Sequence, residues 1–216
     1  MVTYKHAIFI ILLFTCTHYQ GYAQTTLYQC NNKYKIELSN TLELQSSELN
    51  TTSQRKLQGN KTQTNIVSPT NHIVFQQKGL NNNVKTAYNK YCRVLIDYYT
   101  EDKREPVYGR GEQVIVDKDI IEYVHKSVNT ACTRNRTPLI KLNTIQPISI
   151  NGFPVLYYSY KRKGWENSPP VIVNTFQIFN RYESVVLTFS YRESERELWK
   201  NIHTNILRTF TFLKKY

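Results

Sequence analysis

The chain has 216 residues, enough for one globular core and too few for two comfortable ones. Hydrophobic residues make up 40% and charged residues 20%, which excludes a disordered acidic chain and a multi-span membrane protein. Lys and Arg number 28 against 16 Asp and Glu, a net charge of +12, and the 7 Gly and 7 Pro exclude a collagen-like or linker-dominated chain.

Lys5 is the only charged residue in the first 23. It precedes the apolar run Ala7 to Phe14, too short for the 17–25 residues or so that a helix needs to cross a bilayer. The segment ends Gly21-Tyr22-Ala23, with small residues at −3 and −1 of a cut before Gln24. This pattern predicts a signal peptide over 1–23, no transmembrane segment after its removal, and a secreted or periplasmic destination. Lipid attachment at Cys16 is the alternative form of the same export route. One domain over 24–216 remains, with net charge +11. Its densest basic clusters are Lys103-Arg104, Arg134 with Arg136, Lys161-Arg162-Lys163 and Lys214-Lys215. Such a surface attracts anionic partners or simply keeps the protein dispersed. The expected partner is an anionic ligand or an envelope protein, and not nucleic acid.

A first strand is predicted over 33–38, where Tyr34, Ile36 and Leu38 alternate with Lys35 and Glu37. The apolar segment Leu42 to Leu44 follows, then the polar stretch Gln45 to Asn65, read as a mobile loop because it has so little to bury. His72 to Phe75 is a short strand. Tyr91 to Tyr99 is half-buried, with Cys92, Val94, Ile96 and Tyr98 on one face and Arg93 and Asp97 on the other. Gln113 to Val116 reads as a further strand. A helix is predicted over 119–132, with Asp119 and Glu122 at capping-box spacing and Ile121, Val124, Val128 and Cys132 as its apolar stripe. Pro138 and Pro147 bound an extended connector.

Strands are then predicted over 153–161, 171–179 and 184–191, separated by turns at 164–170 and 180–183. Ser194 and Glu197 cap a last helix in which Leu198, Ile202 and Ile206 repeat, with Trp199 beside them. A Phe-rich tail, 210–213, closes the chain. Half-buried strands in a meander with two one-sided helices predict an α+β sandwich: an antiparallel sheet with two helices packed on it.

An oxidising compartment permits a disulfide among Cys30, Cys92 and Cys132. If strands 91–99 and 113–116 are antiparallel, the helix carries Cys132 about 20 Å from the end that holds Cys92. That separation exceeds the Cα spacing of about 7 Å that a bridge tolerates. Cys30 with Cys132 is therefore the expected pair.

The segments Ile148 to Pro154 (ISINGFP), Leu156–Lys161 with Ile172–Phe179, Tyr182 to Ser190 (YESVVLTFS) and Ile206 to Phe212 (ILRTFTF) together resemble the PsbP-like fold. Its members commonly show a glycine-started strand, a tyrosine-led strand and a last helix running into a Ser/Thr-Phe-x-Phe strand. The fold is shared by the P subunit of the photosystem oxygen-evolving complex, the Ran-binding Mog proteins and many small exported bacterial proteins. The resemblance, from about Tyr28 to Phe212, implies a non-enzymatic binding or accessory module, with no shared catalytic residues and no cofactor.

An alternative is a small hydrolase. A Cys–His nucleophile needs thiol and imidazole within hydrogen-bond reach. His125 and Cys132 are about 10.5 Å apart along one helix, too far for a direct pair, and Cys92 and His203 could meet only by tertiary chance. His72, His125 and His203 lack metal-ligand spacing with any Cys. Asp97, Glu101 and Asp102 sit at a strand end and its loop, not facing one another across a cleft. The hairpin carrying Tyr157, Lys161, Arg162, Lys163 and Trp165 is the candidate binding patch, because aromatics interleaved with cations stack on rings while neutralising anions. The competing reading makes Leu156, Tyr158 and Tyr160 core residues and the basic triplet a solvated turn.

Overall fold

Alternation of apolar and polar side chains draws most of the chain into strands. The computed structural model describes residues 25–30, 32–45, 55–56, 64–67, 72–81, 90–100 and 107–214; the signal segment expected over 1–23 lies outside them. In chain order the elements are β1 (Thr25–Cys30), β2 (Tyr34–Ser39), β3 (Leu42–Leu44), β4 (Arg55–Lys56), β5 (Thr64–Val67), β6 (His72–Gln77) and β7 (Cys92–Thr100). Helix α1 (Lys118–Arg134) precedes β8 (Leu139–Ile150), β9 (Phe153–Arg162), β10 (Val171–Asn180) and β11 (Glu183–Arg192). Helix α2 (Arg196–Thr209) and the short β12 (Thr211–Phe212) end the fold.

The larger sheet has the order β3-β6-β7-β11-β10-β9-β8 and is antiparallel throughout. The smaller has the order β12-β2-β1-β5-β4, with β1 and β5 parallel. Both faces of the larger sheet are apolar, and each has its own cover. One face presents Val94, Ile96, Val155, Ile178, Leu187 and Phe189 to β2, β12 and Trp199 and Ile206 of α2. The other presents Leu156, Tyr160, Val171 and Val173 to Val124, Val128 and Cys132 of α1. The expected α+β architecture, an antiparallel sheet with two helices packed on it, is what the chain adopts; the second sheet was not expected.

Several local expectations are corrected. The cap of α1 is Asp117, whose Oδ1 accepts from Ile120 N–H at 2.9 Å, and not Asp119. Ile121 is 40% exposed, so the buried stripe begins at Val124. Residues 113–116 form no strand, although Val114 is buried against α1. The connector between Pro138 and Pro147 is instead the strand β8. Pro147 is tolerated because β8 is the sheet's outer strand, where a missing N–H costs no ladder bond. Strands β4 and β5 arise in and beside the polar stretch read as a loop; backbone pairing needs no apolar side chains to announce it. The rest of that stretch lies outside the described residues. The last helix carries no side-chain cap from Ser194.

The expected Cys30–Cys132 bridge does not form. All three cysteines among the described residues are free and buried. Cys30 belongs to the core between the sheets and Cys132 to the core beneath α1, so the larger sheet stands between them.

The turn between β8 and β9 positions the end of α2. Asn151 and Gly152 both take positive φ, 53° and 81°, as a tight hairpin turn requires. The Asn151 amide then donates from Nδ2 to the carbonyls of Leu207, Arg208 and Phe210, at 3.2, 3.1 and 2.7 Å. These are carbonyls that a helix end leaves without an intrahelical partner. Asn151→Gly keeps the turn and removes the amide. It should lower the urea unfolding midpoint by the equivalent of about 1–2 kcal/mol; an unchanged midpoint would show that water caps the helix equally well.

Candidate functional site

Helix α2 places two kinds of side chain along one line. Trp199, His203 and Ile206 are buried. Arg196, Lys200, His203 and Leu207 fall at i, i+4, i+7 and i+11, a stripe that faces the larger sheet across an open groove of about 780 Å³. The phase differs from the expected one: Leu198 is 57% exposed, and the apolar repeat beginning there is not the buried one.

The floor of the groove is a row of rings. Tyr157 of β9 stacks on Phe176 of β10, with centroids 4.7 Å apart. Phe176 meets Phe189 of β11 edge-on at 5.7 Å, and Phe189 stacks on His203 at 4.4 Å. Along the same strands runs a polar chain: Tyr157 Oη donates to Asn174 Oδ1 at 3.0 Å, and Asn174 Nδ2 donates to Tyr191 Oη at 3.3 Å. The mouth carries four cations, Lys141, Lys161, Arg196 and Lys200, against the carboxylates Glu193 and Glu197. Lys161 is paired with Glu193 at 2.6 Å. This arrangement can hold an anionic group at the rim and a flat apolar body on the floor.

The strand period divides the candidate patch. Tyr157 and Lys161 face the groove. Arg162 faces the other side of the sheet, one residue out of phase, beside Cys132 and Tyr91. Lys163 is exposed beyond the strand, and Trp165, 60% exposed, sits in a short 3-10 turn, Trp165–Asn167. Two of the five residues thus meet in the groove and three do not. Leu156, Tyr158 and Tyr160 pack beneath α1, as their alternation implied. The sequence reading missed Asn174, Tyr191, Arg196 and Lys200. A signal was present: Asn174 interrupts the apolar series Ile172, Phe176, Ile178 on β10, and His203 interrupts the stripe of α2.

Tertiary packing also joins Cys92 to His203, with Sγ 3.6 Å from Nε2. A nucleophilic pair requires thiolate and imidazolium. Here burial pushes the Cys92 thiol well above its ordinary range, reinforced by Glu195, and drives His203 down to about 3. Both shifts favour the neutral forms, leaving a weakly hydrogen-bonded thiol and imidazole packed among rings. Of the other candidate acids, Asp97 Oδ1 is paired with His72 Nδ1 at 2.5 Å, and Glu101 and Asp102 lie outside the described residues. No group of three or more His, Cys, Asp or Glu that could hold a metal occurs among the described residues.

The His203 shift makes stability depend on pH. Its folded pKa lies below the ordinary 6.5, so the unfolded chain takes up the proton first as the solution is acidified. The contribution is complete above about pH 6.5 and is lost as the pH falls toward 3. His203→Phe retains a ring to stack on Phe189 and removes the proton site. Between pH 7 and 4 the wild type should lose on the order of 3 kcal/mol more than this variant in urea titrations; parallel losses would refute a buried neutral imidazole.

No protein-family model and no curated protein matches the sequence. Among solved structures, the fold is similar to the solution structure of cyanobacterial PsbP (CyanoP) from Synechocystis sp. PCC 6803. The TM-score is 0.52 at 14% identity, covering 93% of this chain and 98% of that one. A crystal structure from Bacteroides thetaiotaomicron VPI-5482 is similar at TM-score 0.45 and 6% identity, over 84% of this chain and 45% of that one. A Pseudomonas aeruginosa protein of unknown function is similar at TM-score 0.41 and 11% identity, over 86% and 95%. Identity this low speaks to architecture alone, and on architecture it agrees with the sequence resemblance: the chain has a PsbP-like α+β fold.

Proposed function

We propose that the protein is a non-enzymatic, exported binding module that takes an anionic ligand with a flat apolar part into the groove beneath α2. The groove itself carries this reading: a preformed opening of about 780 Å³ with a ring-lined floor and an excess of cations at its mouth. Ligand sites are typically concave, mostly apolar and furnished with a few converging polar groups. The Asn174 amide, held between Tyr157 and Tyr191, is such a group. The neutral Cys92–His203 pair favours binding over nucleophilic turnover, because neither partner is in the state that attack requires. Export rests on the leader-like pattern of residues 1–23, and no described helix is long and apolar enough to cross a membrane. A fold shared with a PsbP protein leaves the ligand open, since function lives in the site and not in the architecture.

Anilinonaphthalene sulfonate, an anionic fused-ring probe, tests the groove. The probe should bind the folded protein, and Lys141→Ser with Lys200→Ser should weaken it about five- to tenfold. Trp165→Ala, outside the groove, should leave binding unchanged. Equal affinity for the double variant and the wild type would remove the groove as the site. Intact-mass analysis of protein recovered from the envelope or medium of an exporting bacterium tests the second half. A chain starting at Gln24 is expected; a chain retaining residues 1–23 counts against cleavage.

A further inference from the structure

On the α1-facing side of the larger sheet, away from the groove, three arginines converge on one tyrosine. Arg162 ends β9, Arg192 ends β11, and Arg93 lies two residues beyond Tyr91 at the start of β7. Val171 of β10 is the ladder partner of both Arg162 and Arg192, and Arg192 N–H donates to Tyr91 O at 3.1 Å. Four neighbouring strand ends are thereby aligned, and alternation sends Arg93, Arg162 and Arg192 to the same face. The guanidinium carbons of Arg93 and Arg192 lie 5.4 and 5.2 Å from the centroid of the Tyr91 ring. Arg162 Nη2 donates to Tyr91 Oη at 3.5 Å, and Ser190 Oγ donates to the same oxygen at 3.3 Å. Ser190 is in turn the ladder partner of Arg93.

The charges of Arg93 and Arg162 are not balanced within the cluster. Arg192 is buried and fixed by donating from Nη1 to Pro169 O at 2.6 Å. Among the described residues, neither Arg93 nor Arg162 takes part in an ion pair. Arg93 Nε is buried without a hydrogen-bond partner. Glu195 engages Tyr91 only at the backbone, where its Oε2 accepts from the Tyr91 N–H at 3.0 Å. Contact with one phenol ring and its hydroxyl offsets only part of the positive charge that Arg93 and Arg162 bring. An anion would supply what is missing.

We propose that this cluster binds a tetrahedral oxyanion, the phosphate or sulfate group of a ligand. A planar carboxylate is satisfied by one arginine fork, whereas donors arriving from three strand ends and a phenol suit oxygens that point in several directions. Arg93, Arg162 and the Tyr91 hydroxyl supply the donors; Arg192 holds the ring. This site lies on the opposite face from the groove and does not depend on the groove being occupied.

Isothermal titration of the chain from Gln24 onward with sodium phosphate and sodium sulfate, at ionic strength matched with chloride, tests the assignment. Both should bind more tightly than acetate. Arg93→Gln with Arg162→Gln should weaken phosphate about tenfold or more, and Tyr91→Phe, which keeps the stacked ring, should weaken it by a smaller factor. Both substituted arginines are half-buried, and the anion-free melting temperature of the double variant should be no lower than the wild type's, since two like charges are removed. The groove variant Lys141→Ser with Lys200→Ser should bind phosphate as the wild type does, which separates failure of this site from failure of the groove. Phosphatidylcholine vesicles with and without phosphatidic acid distinguish the source. Vesicle binding that needs both phosphatidic acid and the two arginines identifies a lipid head group; phosphate binding without vesicle binding identifies a soluble ligand. Equal phosphate affinity in the wild type and the arginine variant overturns the proposal, as does acetate binding as tightly as phosphate.

Discussion

A seven-stranded antiparallel sheet with two apolar faces is the constraint from which the rest of this structure follows. Apolar sheet surface must be taken out of water, and two helices cannot blanket seven strands on both sides. The chain solves this unequally. Helix α1 covers one face around β8, β9 and β10, while α2 shares the other face with a second, smaller sheet. Where α2 and that sheet leave β8 to β10 without a lid, the groove appears, with half-buried Tyr157 at its surface and Phe176, Phe189 and His203 packed behind it.

The groove and the helix end are joined through one short turn. Asn151 adopts a left-handed conformation, so its amide reaches the last carbonyls of α2, and α2 in turn sets the position of Arg196 and Lys200. At a second turn on the same end of the sheet, between β10 and β11, buried Glu183 is satisfied by Tyr98 Oη at 2.8 Å and Asn180 Nδ2 at 3.0 Å. Asn180 also donates to Lys214 O, tying the tail to the sheet. Buried polar groups of this kind survive because each has a partner; they pin turns and termini whose sequences alone are weakly directive.

Cys92 and His203 illustrate how packing decides chemistry. Residue types that form nucleophilic pairs in some proteins are brought within 3.6 Å, yet the surroundings are rings and aliphatic side chains. Desolvation raises the thiol and lowers the imidazole, the reverse of what an ion pair would do. Proximity alone would have suggested reactivity; the dielectric surroundings argue for a structural contact.

Alternation along 91–99, 171–179 and 184–191 was enough to locate β7, β10 and β11, and the stripe Val124, Val128, Cys132 was enough to locate α1, because local periodicity and burial coincide there. The same reading misplaced the phase of α2, since Leu198, Ile202 and Ile206 repeat as regularly as Trp199, His203 and Ile206 and only a packing partner distinguishes them. It took β8 for a connector because Pro147 breaks a strand everywhere but at an edge, and edges are not written in a single strand's sequence. The basic hairpin read as one patch from Tyr157 to Trp165, but a pleated strand sends neighbours to opposite faces, so Lys161 and Arg162 serve different sites. The gathering of Arg93, Arg162 and Arg192 around Tyr91 was illegible for a related reason. Local elements are specified by side chains a few residues apart, whereas these residues are as many as 101 positions apart and meet only through the order in which the strands pair.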